Sequence, residues 1–140
     1  MKNKHLKQTI LFSIMIPIYK VELVISYGSD KKFLKKSWKD QPNMDIEKKN
    51  LYNIAFKDTF KEKGKIGGRY NYYRDEDLHY IHIFEKKSWS SLISDITHEL
   101  SHATFEILRS RGIKYSTKSE EAYTYLQGYL IEETIKKLLE

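Results

Sequence analysis

Leu92, Ile96, Leu100, Ala103 and Ile107 follow one another at steps of four, four, three and four residues, and Leu108 widens the stripe. That period belongs to a helix and excludes a strand, whose faces alternate at every second residue. Ser88 or Ser90 can open the helix. Arg111-Gly112-Ile113 can close it, with glycine in the left-handed position past the last turn and an apolar residue after it. Within this stretch stands His98-Glu99-Leu100-Ser101-His102, a pattern found once in the chain. Histidines four apart on a helix lie on one face, one turn above the other. Both imidazoles can then reach a single Zn²⁺, and the carboxylate between them sits close enough to polarise a metal-bound water. The residues therefore point to metal-dependent hydrolysis.

A catalytic zinc takes three protein ligands and keeps one position open. The chain has no Cys, so any metal site must use His and carboxylates. Candidates stand on the following helical segment, residues 118–130. Thr117 or Ser119 can cap it, and Thr117 with Glu120 fits a capping box. Glu121 shares a helix face with Tyr125, Gly128 and Glu132. Gly128 on that face would let the helix approach its neighbour closely, which turns Glu121 inward and leaves Glu120 at the rim.

His98, Glu99 and His102, followed by Glu121 after eighteen intervening residues, resemble the glutamate-zincin (gluzincin) pattern H-E-x-x-H-(x18)-E. The block from Ile96 to Leu130 is similar to the C-terminal half of small zinc-peptidase-like proteins carried by phages and other mobile elements. The resemblance implies His98, His102 and Glu121 as zinc ligands and Glu99 as general base. Such proteins also supply a His or Tyr to stabilise the oxyanion. Tyr123 is the first candidate here, with Tyr115 beside it and a weaker claim from His79. One turn after the ligand Glu they often carry an acid; this chain has Tyr125, so Asp95, Glu132 or Glu133 would have to orient a ligand imidazole.

The rest of the chain reads as one α+β domain over residues 1–140. The expected architecture is a small, antiparallel-rich sheet packed on the H-E-x-x-H helix and a C-terminal helix, a minimal zincin-like fold. Lys2, Lys4 and Lys7 precede an apolar run, Ile10 to Ile18, that imitates a secretion signal. No small-residue cleavage site follows, and the run is too short to span a bilayer, so it is read as a strand before a second strand, Val21 to Tyr27. Gly28-Ser29-Asp30 can end that strand and cap a helix to about Trp38, followed by a loop with Pro42. Leu51 to Phe56 and Tyr70 to Tyr73 read as short strands. Arg74-Asp75-Glu76-Asp77 reads as a turn into a strand over Leu78 to Phe84, with Leu78, Tyr80, His82 and Phe84 on one face. In zincins the edge strand aligns an extended substrate by main-chain hydrogen bonds, and Leu78 to Phe84 is the expected strand for that role.

Charge is divided unevenly. Residues 1–74 carry 17 Lys or Arg against 7 Asp or Glu, a net +10, and residues 75–140 carry 8 against 12, a net −4. Lys31, Lys32, Lys35, Lys36 and Lys39 fall on one expected helix with Phe33, Leu34 and Trp38. An ordinary solvated helix face is the favoured reading, with nucleic acid as the possible partner; no helix-turn-helix or finger pattern offers base readout.

The expected function is zinc-dependent hydrolysis of a peptide or protein substrate, with no membrane partner. The competing class is a non-catalytic phage or mobile-element interaction protein that uses the basic half to bind nucleic acid or a partner. An intact Glu99 favours the first class, because a structural zinc has no use for a base beside it. The absence of cysteine fits a reducing compartment, and the expected location is cytoplasmic, in a bacterial host if the protein is phage-borne.

Overall fold

The computed structural model describes residues 4–41 and 44–140. Its elements run α1 (Lys4–Lys7), β1 (Ile10–Ile16), β2 (Val21–Tyr27), α2 (Lys31–Lys39), α3 (Ile46–Lys61), β3 (Gly68–Tyr73), β4 (Leu78–Ile83), α4 (Trp89–Ser110) and α5 (Glu120–Leu139). The fold is α+β. Its four strands take the order β1-β2-β4-β3. The outer pairs, β1–β2 and β3–β4, are antiparallel hairpins, and the central pair β2–β4 is parallel.

A parallel pair needs a crossover, and α2 with α3 lies within it. These two helices cover one face of the sheet, where Leu34, Trp38, Tyr52, Ala55 and Phe56 pack on Val24, Leu78 and Tyr80. The other face packs against α4 and α5. There Leu23, Ile25, Ile81 and Ile83 meet Leu92, Ile96, Leu100 and Leu130. β4 is buried at every residue, as an internal strand between two helical layers must be. No helix among the described residues is long and apolar enough to cross a membrane.

The apolar run Ile10–Ile16 pairs residue by residue with Val21–Tyr27, so the hairpin accounts for both stretches. Asp30 caps α2 by accepting from the Phe33 amide at 3.0 Å. Leu51 to Phe56, expected as a strand, instead lies inside α3. Asp45 accepts from the Lys48 amide at that helix's start, and Tyr52, Ala55, Phe56 and Thr59 are buried at helical spacing. The aromatic residues that suggested a strand are the apolar stripe of a helix. The expected loop position of Pro42 falls outside the described residues.

β4 is not the edge strand expected of Leu78 to Phe84. It is enclosed by β2 and β3, and β3 forms the edge. The four residues Leu78, Tyr80, His82 and Phe84 do share a face: Tyr80 stacks edge-on with Trp38 and Tyr52, and His82 lies against Phe60 and Phe84. His82 Nδ1 is 2.7 Å from Ser26 Oγ, and burial pushes its imidazole pKa down to about 3. An imidazole held neutral in the fold but free to charge when unfolded stabilises the fold above the unfolded pKa near 6.5. That stability is lost as pH falls from about 6.5 toward 3. Chemical denaturation should therefore show a loss of roughly 2–3 kcal/mol from this group between pH 7 and pH 4.5. His82→Gln should be less stable at pH 7 but lose less on acidification; an unchanged pH slope would contradict this role.

Candidate metal centre

α4 is fixed at both ends. Ser88 Oγ accepts from the Ser91 amide at 3.2 Å. At the other end Gly112 takes φ 79°, and the Gly112 and Ile113 amides donate to the carbonyls of Arg109 and Leu108 at 3.0 and 2.9 Å. These two bonds close a Schellman motif. Between the caps, Leu92, Ile96, Leu100, Ala103, Ile107 and Leu108 are buried. A helix that buries this stripe must turn residues 98 and 102 outward, and both histidines are exposed.

Their Nε2 atoms lie 3.2 Å apart. Two nitrogens bound to one tetrahedral Zn²⁺ at 2.0–2.1 Å stand roughly 3.3–3.4 Å apart, so the pair is spaced as two ligands of one ion would be. The rings are set at 81° to each other. Glu99, between them in sequence, is only 8 % exposed. Burial pushes its carboxyl pKa up, while His102, His98 and the backbone N–H of Tyr70 pull it down.

Glu99 and His102 open onto a cleft of ≈ 440 Å³, whose other walls include Glu62, Ile66, Gly68 and Tyr70. A cavity of similar size, ≈ 450 Å³, involves Ser13, Glu22 and Tyr52 and shares no residue with the motif. The cleft's floor is the start of β3. Phe84 N–H donates to the Gly67 carbonyl at 3.0 Å. The antiparallel register Gly68↔Ile83 to Tyr73↔Leu78 then puts the ladder bonds at odd-numbered residues of β3. The N–H and C=O groups of Gly68, Tyr70 and Tyr72 point away from β4 to the free edge. Gly68 is required in this strand, because a Cβ there would overlap the His82 carbonyl oxygen of β4, 2.8 Å away.

Beneath the cleft runs a chain of polar contacts. Tyr70 Oη is 2.6 Å from His79 Nδ1, His79 Nε2 is 3.2 Å from Asp77, and Arg111 donates to Asp77 at 2.7 Å. His79 is fully buried, and burial holds its imidazole below the usual pKa against the pull of Asp77. It ties the β3–β4 hairpin to the end of α4 and does not reach the cleft as an oxyanion donor.

Other expected site residues are placed differently. Tyr123 is buried, and its hydroxyl donates to the Ile113 carbonyl at 2.6 Å. It anchors the α4–α5 connection, so its expected catalytic role is not supported by its placement. Tyr115 is exposed and packs on Phe105 and Tyr123. Asp95 pairs with Lys86, and Glu132 and Glu133 pair with Lys136; among the described residues none of the three hydrogen-bonds a motif imidazole.

Glu121 is not brought to the histidine pair. Tyr123, Leu126, Leu130 and Thr134 form the buried side of α5, and Gln127 reaches Ser101 of α4 at 2.6 Å. Glu121, Tyr125, Gly128 and Glu132 lie on the exposed side. A Cβ at Gly128 would meet nothing within 4 Å, so this glycine does not mediate the helix contact expected of it. Nor does the Thr117–Glu120 capping box form: Ser119 precedes the helix without a side-chain cap bond. Among the described residues no three His, Asp or Glu side chains form a ready metal cluster. Glu62 and Tyr70 carry no local sequence signal; the fold brings them to the cleft from the end of α3 and from the edge strand.

The chain matches no protein-family model, no curated protein and no solved structure.

Zinc binding should depend on the pair. Competition with a chelating dye should give about one equivalent of Zn²⁺ per chain. His98→Ala with His102→Ala should weaken it at least a hundredfold while far-UV circular dichroism stays unchanged, since both side chains are exposed. Undiminished affinity in the double variant would place the metal elsewhere.

Proposed function

We propose that the protein is a zinc-dependent metallopeptidase with its active site at the mouth of the α4–β3 cleft. The observation that carries this reading is the 3.2 Å separation of the His98 and His102 Nε2 atoms, with Glu99 lining the same cleft as His102. Zinc, when bound, supplies a Lewis acid that makes water a nucleophile near neutral pH and polarises a carbonyl. Glu99 would receive the water's proton and return it to the leaving amine. Its low exposure keeps bulk water from competing for that proton. The free edge of β3 offers the N–H and C=O groups of Gly68 and Tyr72 and the C=O of Tyr70, whose N–H is taken by Glu99, to an extended peptide, which would lie as an added strand along the cleft.

A catalytic zinc needs a third protein donor, and Glu121 is the one the glutamate-zincin resemblance implies. In the reading proposed here, the first turn of α5 re-seats to present it when metal binds. That turn has no side-chain cap bond, Glu120 and Glu121 are exposed, and the first buried side chain of the helix is Tyr123. Glu121→Ala should then weaken zinc binding at least a hundredfold. Glu120→Ala should leave zinc binding unchanged and cost at most about 1 kcal/mol of stability. Equal, negligible effects from both would remove Glu121 from the site and leave Glu62, already on the cleft wall, as the carboxylate to examine.

The chemistry is tested at Glu99. Glu99→Gln should retain zinc and fold while losing peptide hydrolysis by at least the roughly hundredfold that general-base removal costs. Turnover of a cleaved peptide at the native rate by this variant would exclude Glu99 as the base.

A further inference from the structure

The basic half of the chain forms a concave surface. α2 and α3 lie side by side on the sheet face opposite α4, and between them is a groove of ≈ 340 Å³ walled by Lys35, Lys39, Lys49, Lys57, Asn50 and Asn53. No carboxylate lines it. Among the described residues none of these four lysines forms a salt bridge, whereas Lys61, Lys86 and Lys136 elsewhere do. Lys49 Nζ donates to the Lys39 carbonyl at 3.0 Å, which holds that ammonium group at the junction of the two helices. Solvated helix faces usually intersperse both signs of charge. Here four cations converge on one hollow without a counter-charge, and such an arrangement attracts polyanions.

We propose that this groove binds the phosphodiester backbone of a nucleic acid. At 1.5 Å of rise per residue, Lys49 and Lys57 stand about 12 Å apart along α3, and Lys35 and Lys39 about 6 Å apart along α2. Duplex DNA presents a phosphate about every 3.4 Å of axis on each strand, so the groove spans several phosphates. Asn50 and Asn53 add neutral donors that can bond phosphate or sugar oxygens. A hollow between two helices suits a strand of backbone, whereas a bilayer presents a broad plane. Ammonium groups bonded to phosphates carry no base information, so recognition through this groove is independent of sequence. This surface lies across the sheet from the histidine pair and does not rest on the metallopeptidase reading.

The test is fluorescence anisotropy of the full chain with a short mixed-sequence DNA duplex as salt is raised from 50 to 200 mM. Four phosphate contacts should give a slope of log affinity against log salt of about −3.6, close to a hundredfold weakening over that range. With a single strand, the same contacts should give about −2.8, and the tighter of the two identifies the form bound. Changing Lys35, Lys39, Lys49 and Lys57 together to Gln should abolish binding. The pairs Lys35→Gln/Lys39→Gln and Lys49→Gln/Lys57→Gln should each lower the duplex slope by about 1.8. They keep the test decisive if the fourfold variant does not fold. A control with Lys87, Lys114, Lys118 and Lys137 changed to Gln has the same charge change and should retain affinity within about threefold. Absence of binding at 50 mM, equal losses in groove and control variants, or tighter binding to phosphatidylserine vesicles than to either nucleic acid would overturn the proposal.

Discussion

The packing of α4 against the sheet sets the terms for the rest of the molecule. One helix must bury Leu92, Ile96, Leu100, Ala103 and Ile107 while turning His98 and His102 to solvent, and a 3.6-residue period allows both only at one rotation. At that rotation Glu99 falls on the boundary, with its carboxylate withdrawn against β3. The Ser88 cap and the Gly112 terminus hold the helix's ends, and Gly68 lets β3 lie close against the His82 carbonyl of β4. A rotation of α4 by one residue, about 100°, would bury both histidines in one sense and expose the Glu99 carboxylate in the other.

The same packing links the proposed chemistry to the sheet. Tyr70 contributes through both its main chain and its ring. Its N–H faces Glu99 and the free edge, while its hydroxyl continues through His79 and Asp77 to Arg111 at the end of α4. The edge that would receive a peptide is thus tied to the helix that carries the histidines. A buried imidazole and an ion pair serve here as fixtures: they fix the strand's position relative to α4, within a hairpin closed by Asp77 at φ 51°.

Much of this was legible in the sequence where a local rule decides the outcome. The boundaries of α4, its histidines on one face, the β1 and β2 strands and the Asp30 cap follow from period and capping chemistry. Two errors share one cause, the use of residue type where packing decides. Leu51 to Phe56 has the aromatic and branched residues of a strand, yet its neighbours on both sides complete a helical stripe. Gly128 suggested a close helix contact, yet Tyr123, Leu126 and Leu130 turn α5 the other way. The edge position of β3, the place of Glu62 and the lysine groove depend on topology, which no local spacing encodes.

Zinc K-edge X-ray absorption on the metal-loaded protein tests the central claim most directly, because it reads the coordination shell itself. The account predicts two imidazole nitrogens at about 2.0–2.1 Å, with oxygen donors completing a four-coordinate shell. That imidazole signature should disappear when His98 and His102 are both replaced. A shell without two imidazoles, or one that survives loss of the pair, would contradict the account.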